Sequence, residues 1–511
     1  MLFNSYIFIL LFLPLTVIAF YWLKKYGSYT LSIVLLVFAS FAFYSWWNPA
    51  YLLLILGSIM CNYALGTVLT NHDIFQAKRR WLLALGVSCN LLVLCYYKYL
   101  LFFVGIISTL VDKPVSVEEI ILPLAISFFT FQQIAYLVDA YRGESKHYGF
   151  LNYCLFVTFF PQLIAGPIVH HKEMMPQFVK NRNQSLALQN IAIGSIIFTI
   201  GLFKKVIIAD SVAEISTPLF TVVDQGGELT LIEAWLAALS YTLQLYFDFS
   251  GYADMAVGAA RLFGITLPAN FDSPYKSASI IDFWRRWHIT LSRFLRDYLY
   301  IALGGNRHGE IRRFQNLFIT MLLGGLWHGA GWTFVVWGAL HGFYLVVNHL
   351  WRKLAKEWQI VNARIYRFAS HFLTLICVII GWVFFRAETL TGAVSILKGM
   401  VGLNGIVFPS KYLGRWGENA VWMQDWGVQF YDMNFFTSLG DLWLLIALIV
   451  VTMTFPNTYQ LLFKYKPVLE PVGESRWVIP LEKTSGIVCG LVLLYCLLSM
   501  NKTSEFLYFQ F

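Results

Sequence analysis

Two histidines and an arginine-rich stretch hold most of the chain's chemical options. Phe283-Trp284-Arg285-Arg286-Trp287-His288 sets an imidazole beside two guanidinium groups. About forty residues on, Gly324-Gly325-Leu326-Trp327-His328-Gly329 places His328 among Leu322, Leu323, Trp327 and Trp332, with Ala330 and Gly331 adding to the small residues around it. An imidazole titrates near neutrality and in its neutral form can take a proton from a hydroxyl or a thiol. Glycine lets a helix or a ligand approach the backbone closely. His328 therefore reads either as a general base or as a core histidine bonded to a helix carbonyl, and local sequence leaves both open.

Taken as one helix, 280–298 carries Ile280, Trp284, Trp287, Leu291, Phe294, Leu295 and Tyr298 on an apolar stripe. Asp282, Arg285, Arg286, Arg293, Arg296 and Asp297 then lie opposite, with His288 on the border. Such a helix either anchors on lipid headgroups or forms one wall of a wet, cationic mouth. Clustered arginines suit phosphate oxygens, because the guanidinium fork grips oxygen pairs.

Other titratable residues read differently. Asp248 and Asp254 stand in an apolar run, six residues apart, so on a helix they do not share a face; salt bridges to the arginines of 261–296 are expected. His341 lies thirteen residues after His328, and on one straight helix the two imidazoles point roughly 220° apart. His341 is expected to pack in a glycine-rich helix. His170-His171, side by side in a loop, make a poor metal site, and no metal is expected. No P-loop, dinucleotide fingerprint, HExxH or GxSxG occurs. The seven cysteines form no CxxC pair and read as buried free thiols.

The surrounding chain is built for a membrane. Of 511 residues, 58% are hydrophobic and 13% charged, and mean hydropathy is +0.63. Soluble domains are about a quarter charged. With spans of about 20 apolar residues, the pattern predicts an all-α polytopic protein of roughly 11–13 transmembrane or re-entrant helices. The run 315–350 is long enough for two pieces. The net charge of +9 fits loops facing anionic lipid, and no nucleic-acid-binding module is recognisable. The first run, Ile7 to Leu23, lacks a preceding positive charge and is expected to be a retained helix. Lys24-Lys25, Lys78-Arg79-Arg80 and Arg142 with Lys146 alternate across the membrane with the Trp47-Asn48-Pro49 turn and Glu118-Glu119. The alternation then fails at Lys172, Lys180 and Arg182. Segment 150–169 is accordingly expected to be re-entrant, broken by Pro161, Gly166 and Pro167, and to border a cavity. One integrated domain is expected: a helical core over 1–400 with a cytoplasmic basic segment at 261–314, an extracytoplasmic loop at 401–437 carrying Trp416, Trp422 and Trp426, and C-terminal transmembrane helices over 438–511.

At these residues the chain resembles the membrane-bound O-acyltransferases, and within them the bacterial polysaccharide and peptidoglycan O-acetyltransferases, such as those acting on alginate. The matching motifs are Phe159-Phe160-Pro161-Gln162-Leu163-Ile164-Ala165-Gly166-Pro167 and Leu245-Tyr246-Phe247-Asp248-Phe249-Ser250-Gly251-Tyr252. To these are added Phe283 through His288, Leu295-Arg296-Asp297-Tyr298-Leu299-Tyr300, Leu303-Gly304-Gly305-Asn306-Arg307, and Gly324 through Ala330. The resemblance covers most of 1–390. It implies that His328 is the family's membrane histidine and His288 its polar partner, both at the neck of a funnel or tunnel. Trp284, Arg285, Arg286, Arg293, Arg296, Asp297, Trp327 and Asp248 fall in the supporting motifs. It further implies an acyl donor from the cytoplasmic side (acetyl-CoA, with no bound cofactor), an extracytoplasmic glycan acceptor, a periplasmic partner enzyme, and a place in the bacterial inner membrane. D-alanyl transfer on the same fold and a transporter without acyl chemistry remain as alternatives.

Overall fold

A computed structural model describes the chain except residues 72–77, 114, 116, 119, 146, 147, 165, 181–187, 358–363, 433, 434, 437, 501–506 and 508–511, and the side chains of 180, 356 and 357. Glu119, Lys146, Arg182 and the Lys180 side chain, used in the charge argument above, fall outside the described residues.

The protein is all-α and polytopic. The helices are α1 Leu13–Tyr26, α2 Tyr29–Ser45, α3 Tyr51–Thr70, α4 Arg79–Leu94, α5 Leu100–Val111, α6 Ile126–Tyr141, α7 Phe150–Thr158, α8 Phe160–Leu163, α9 His171–Lys180, α10 Leu188–Phe203, α11 Asp210–Asp224 and α12 Leu231–Leu262. After a long loop come α13 Ile280–Arg286, α14 Ile289–Phe294, α15 Gly309–His328, α16 Trp332–Glu357, α17 Arg364–Arg386, α18 Leu390–Met400, α19 Lys411–Trp416, α20 Glu418–Asp425, α21 Leu439–Thr454, α22 Thr458–Leu461 and α23 Lys483–Ser499. Among the described residues, six helices are long and apolar enough to cross a bilayer: Ile7–Tyr26, Tyr51–Thr70, Arg79–Val111, Leu188–Asp224, Trp332–Ala355 and Arg364–Arg386. Four shorter apolar helices accompany them. Leu10, Ile18, Leu53, Trp81, Leu92 and Leu110 are exposed, as a lipid-facing surface requires.

The 32-residue α12 runs through the core, almost wholly buried. Its N-terminus is closed by a capping box, Thr230 with Glu233. It crosses α10 antiparallel at two glycine pairs: a Cβ on Gly194 would come within 2.7 Å of the Gly258 oxygen, and one on Gly201 within 2.6 Å of the Gly251 oxygen. Seven residues separate the pairs on each helix, two turns on one face. Larger side chains would force these backbones apart.

This crossing also settles the two buried carboxylates. Between α10 and α11 the chain makes a π-helical turn, Lys204–Ala209. It presents Lys204 to Asp254 at 2.6 Å and Lys205 to Asp248 at 2.5 Å. The expected arginine partners from 261–296 are therefore wrong. The lysines win because the close crossing sets them directly across from the acids, whereas the arginines begin only in the last turn of α12, with Arg261, and continue beyond it.

The expected break in 150–169 is present. α7 stops at Thr158, Pro161 stands in the first turn of α8, and Gly166 to His170 are non-helical yet, except for His170, buried. In 401–437, β1 Ile406–Phe408 pairs in parallel with β2 Val428–Phe430. Trp416 packs on Phe408 and Phe430, while Trp422 and Trp426 are exposed.

Candidate active site

The helix expected over 280–298 is broken where the chemistry would lie. Ser279 caps α13, its hydroxyl accepting from the Asp282 N–H. After Arg286 the backbone turns extended at Trp287 and left-handed at His288, with φ of +43°. The Ile289 N–H donates to the Asn270 oxygen at 3.0 Å and the Asp272 N–H to the Arg286 oxygen at 2.9 Å, pinning both sides of the break to the loop after α12. A non-glycine residue at positive φ persists only where its surroundings fix it. A single helix would have left His288 on a border; the break turns it inward, and it is fully buried.

The proton on His288 can be assigned by following donors. The Ile168 N–H donates to Thr290 Oγ at 2.9 Å, so that hydroxyl donates onward to Asn270 Oδ1 at 2.9 Å. The Thr290 N–H also donates to Asn270 Oδ1 at 3.4 Å, which fixes that atom as the amide oxygen. His288 Nδ1, 3.0 Å from the same oxygen, must carry the hydrogen. Nε2 therefore holds the lone pair.

His328 closes α15. The helix ends there because Gly329 is extended and α16 begins only at Trp332. The straight helix on which His328 and His341 diverged does not exist. α15 and α16 instead form a hairpin, close enough at Gly325 and Gly338 that a Cβ on Gly325 would come within 2.9 Å of the Gly338 Cα. The His328 ring is 6.4 Å from that of His288, centroid to centroid. Trp327, Trp337 and Phe385 enclose it at 5.0, 5.1 and 5.2 Å. His341 lies behind this wall, 4.8 Å from Trp337, and its Nδ1 accepts from Trp284 Nε1 at 3.3 Å. His328 and His341 thus both pack against one tryptophan.

The remaining expected site residues divide by partner. Arg286 pairs with Asp282 at 3.0 Å, Arg293 with Glu173 at 2.9 Å and Glu470 at 3.3 Å, and Arg296 with Asp297 at 2.7 Å. Asp248 belongs to the α10–α12 crossing, and Trp327 stacks on Phe131 at 5.1 Å. Arg285 has no ion pair among the described residues. It lines a cavity of about 1180 Å³ between α13, α16 and α17, with Ile280, Tyr344, Arg352, Arg367 and Thr374. Arg285, Arg313 and Arg352 all act electrostatically on His349, to which Arg313 donates at 3.0 Å. A second, smaller cleft of about 70 Å³ is lined by Trp47, Lys98, Leu124, Ser127 and Trp327. α16 orders the two: it starts four residues after His328 and lines the large cavity only from Phe343 on.

Some residues escaped the sequence reading. Lys98 Nζ donates to the Trp327 and His328 oxygens at 2.6 and 3.0 Å, and Tyr99 OH donates to the Leu326 oxygen at 2.9 Å. A lysine at the middle of a long apolar run was the signal for it. Asn270 had none, since it sits in a loop 18 residues before His288. His170 and His171 both lead to one carboxylate, His171 directly and His170 through Tyr298. His171 Nε2 lies 3.1 Å from Asp139, and Tyr298 OH donates to Asp139 at 2.9 Å while lying 3.1 Å from His170 Nδ1. Burial, then the nearby Arg293 guanidinium, push His170 down to about 4, so it is neutral at pH 7. Among the described residues no group of three or more His, Cys, Asp or Glu could hold a metal.

The structure thus buries a pair of histidines in a multi-pass helical membrane protein, with Trp327, next to His328, lining a small cleft and Arg285, three residues before His288, lining a cationic cavity. Residues 3–390 match the membrane-bound O-acyltransferase family model, and the chain belongs to that family and is an acyltransferase. It is 45% identical to a peptidoglycan O-acetyltransferase of Helicobacter pylori over 82% of this chain and 85% of that one. It is 42% identical to a probable alginate O-acetylase of Pseudomonas aeruginosa over 78% and 75%. A teichoic acid D-alanyltransferase of Streptococcus thermophilus is 30% identical over 46% and 58%.

Proposed function

We propose that the chain moves an acetyl group from cytoplasmic acetyl-CoA to hydroxyls of an extracytoplasmic polysaccharide in the bacterial inner membrane, handing it on through a periplasmic partner enzyme. The observation that carries this reading is the pair of buried imidazoles 6.4 Å apart, with Arg285 lining the large cavity three residues before one and Trp327 lining the small cleft next to the other. Arg285, Arg352 and Arg367 offer guanidinium forks to the donor's phosphates, and the cavity's apolar wall suits its thioester arm. His328 takes the proton of the attacking hydroxyl, of the acceptor or of a relay serine on the partner. The oxygen adds to the thioester carbonyl, and the thiolate leaves with the proton. His288, whose outer nitrogen accepts, positions the thioester arm by taking a hydrogen bond from one of that arm's amide N–H groups, with Asn270 holding the ring. The long match to O-acetyltransferases, against a match of under half the chain to D-alanyltransferases, favours acetyl over D-alanyl.

The test is sidedness. Proteoliposomes of uniform orientation receive labelled acetyl-CoA on one face and glycan with candidate partner on the other. Label reaching the glycan from the face bearing Arg285 supports the reading. Label that moves only when donor and glycan share a face contradicts transfer across the membrane.

A further inference from the structure

α15 ends at His328, so the carbonyls of its last turn have no helical N–H to accept from. Three of them are taken by two adjacent residues of another span: Tyr99 holds the Leu326 oxygen, and Lys98 holds those of Trp327 and His328. Both come from a π-helical turn, Cys95–Tyr99, inside the span Arg79–Val111. A π turn adds a residue to the helix and swings consecutive side chains onto one target. An ammonium at membrane depth is costly, and this one meets the negative end of a helix. The helix it caps is the one that presents His328. Lys98 also lies over the Trp327 ring, 5.8 Å from its centroid, and with Trp327 lines the small cleft.

We propose that Lys98 is a positioning residue for acyl transfer: by gripping the Trp327 and His328 carbonyls it fixes where the His328 imidazole stands. This rests on the reading of His328 as the base. An apolar side chain in its place releases the last turn of α15 and lets the imidazole drift from its hydroxyl, whereas the donor cavity, lined by α13, α17 and α16 from Phe343 on, is untouched. A misplacement of about 1 Å is enough to cost on the order of 100-fold in rate. The effect therefore belongs in kcat, not in the donor KM.

The experiment measures acetyl transfer from labelled acetyl-CoA by the full-length protein in nanodiscs, with glycan and partner, for wild type, Lys98→Met, Lys98→Gln, Lys98→Arg, His328→Ala and the Lys98→Met/His328→Ala pair. Size exclusion and thermal midpoint report folding. The expected result is a kcat about 100-fold lower in Lys98→Met with donor KM within about twofold, at least about tenfold of it regained in Lys98→Arg, and no further loss in the double variant. A folded Lys98→Met or Lys98→Gln protein with wild-type kcat overturns the proposal while His328→Ala, if inactive, leaves the base intact. A loss confined to KM, or failure of both neutral variants to fold, overturns it as well. An active His328→Ala protein, or a wild type that takes no acetyl from acetyl-CoA, overturns the reading beneath it and the proposal together.

Discussion

At the α10–α12 crossing, buried polar groups meet as opposite charges: Lys204 with Asp254, Lys205 with Asp248, and Thr458 adding its hydroxyl to Asp254 at 2.6 Å. At the α13–α14 break and the α15 terminus, two buried imidazoles have an amide oxygen and aromatic faces around them. Both places lie deep in the same protein, and both motifs stood out in the sequence. The first arrangement neutralises its charges and locks two helices together. The second orients a lone pair on His288 and holds it 6.4 Å, ring to ring, from a second imidazole. Burial alone does not mark a reactive site; what marks it is a titratable group held in orientation and kept in a form that can exchange a proton.

That contrast can be broken from either side. The largest expected effect on the fold is at the crossing. Lys205→Met leaves Asp248 without its ammonium and is expected to destabilise the protein by about 3–5 kcal/mol, read as a lowered thermal midpoint. Lys205→Met with Asp248→Leu is expected to regain most of it; a double variant as unstable as the single would show that the lysine, not the pair, matters. Next comes the His170 network. The folded imidazole titrates near 4 and a free one near 6.5, so its contribution is whole above pH 6.5 and drains away as pH falls toward 4. Up to about 3 kcal/mol is involved, and thermal midpoints of His170→Gln, compared with wild type across that range, should lose this part of the pH dependence.

Smaller effects test the neck itself. Asn270→Ala removes the acceptor that fixes the His288 tautomer and is expected to lower kcat by about 10–100-fold. An unchanged kcat would show that the hydrogen bond does not orient anything the reaction uses. Arg285→Ala is expected to raise the donor KM by about three- to tenfold with kcat nearly constant, the pattern of lost uniform binding. Arg293→Ala, whose guanidinium already serves Glu173 and Glu470, should leave that KM within about twofold.

How much of this the sequence disclosed depends on the range of the interaction. The membrane class and the break at Pro161 lay in local composition and spacing, whereas these left the roles of His288 and His328 open and only the family resemblance singled the two out. Neither composition nor spacing showed the break at His288, because the apolar stripe of 280–298 continues on both sides and the left-handed residue is a histidine instead of glycine. The end of α15 was marked by Gly329, Ala330 and Gly331, which also suit close packing within a helix. Lys205 and Asp248 are 43 residues apart, and Lys98 and His328 are 230 apart. No periodicity records such pairings, although a lysine inside an apolar run signals that some partner must exist.

The central claim is that His328 carries the proton transfer. It is tested most directly by following labelled acetyl from acetyl-CoA to glycan with purified wild type and His328→Ala in nanodiscs. The account predicts a folded variant with a thermal midpoint like wild type's and transfer reduced by about 1000-fold or more. A folded His328→Ala protein that transfers acetyl at the wild-type rate would contradict it.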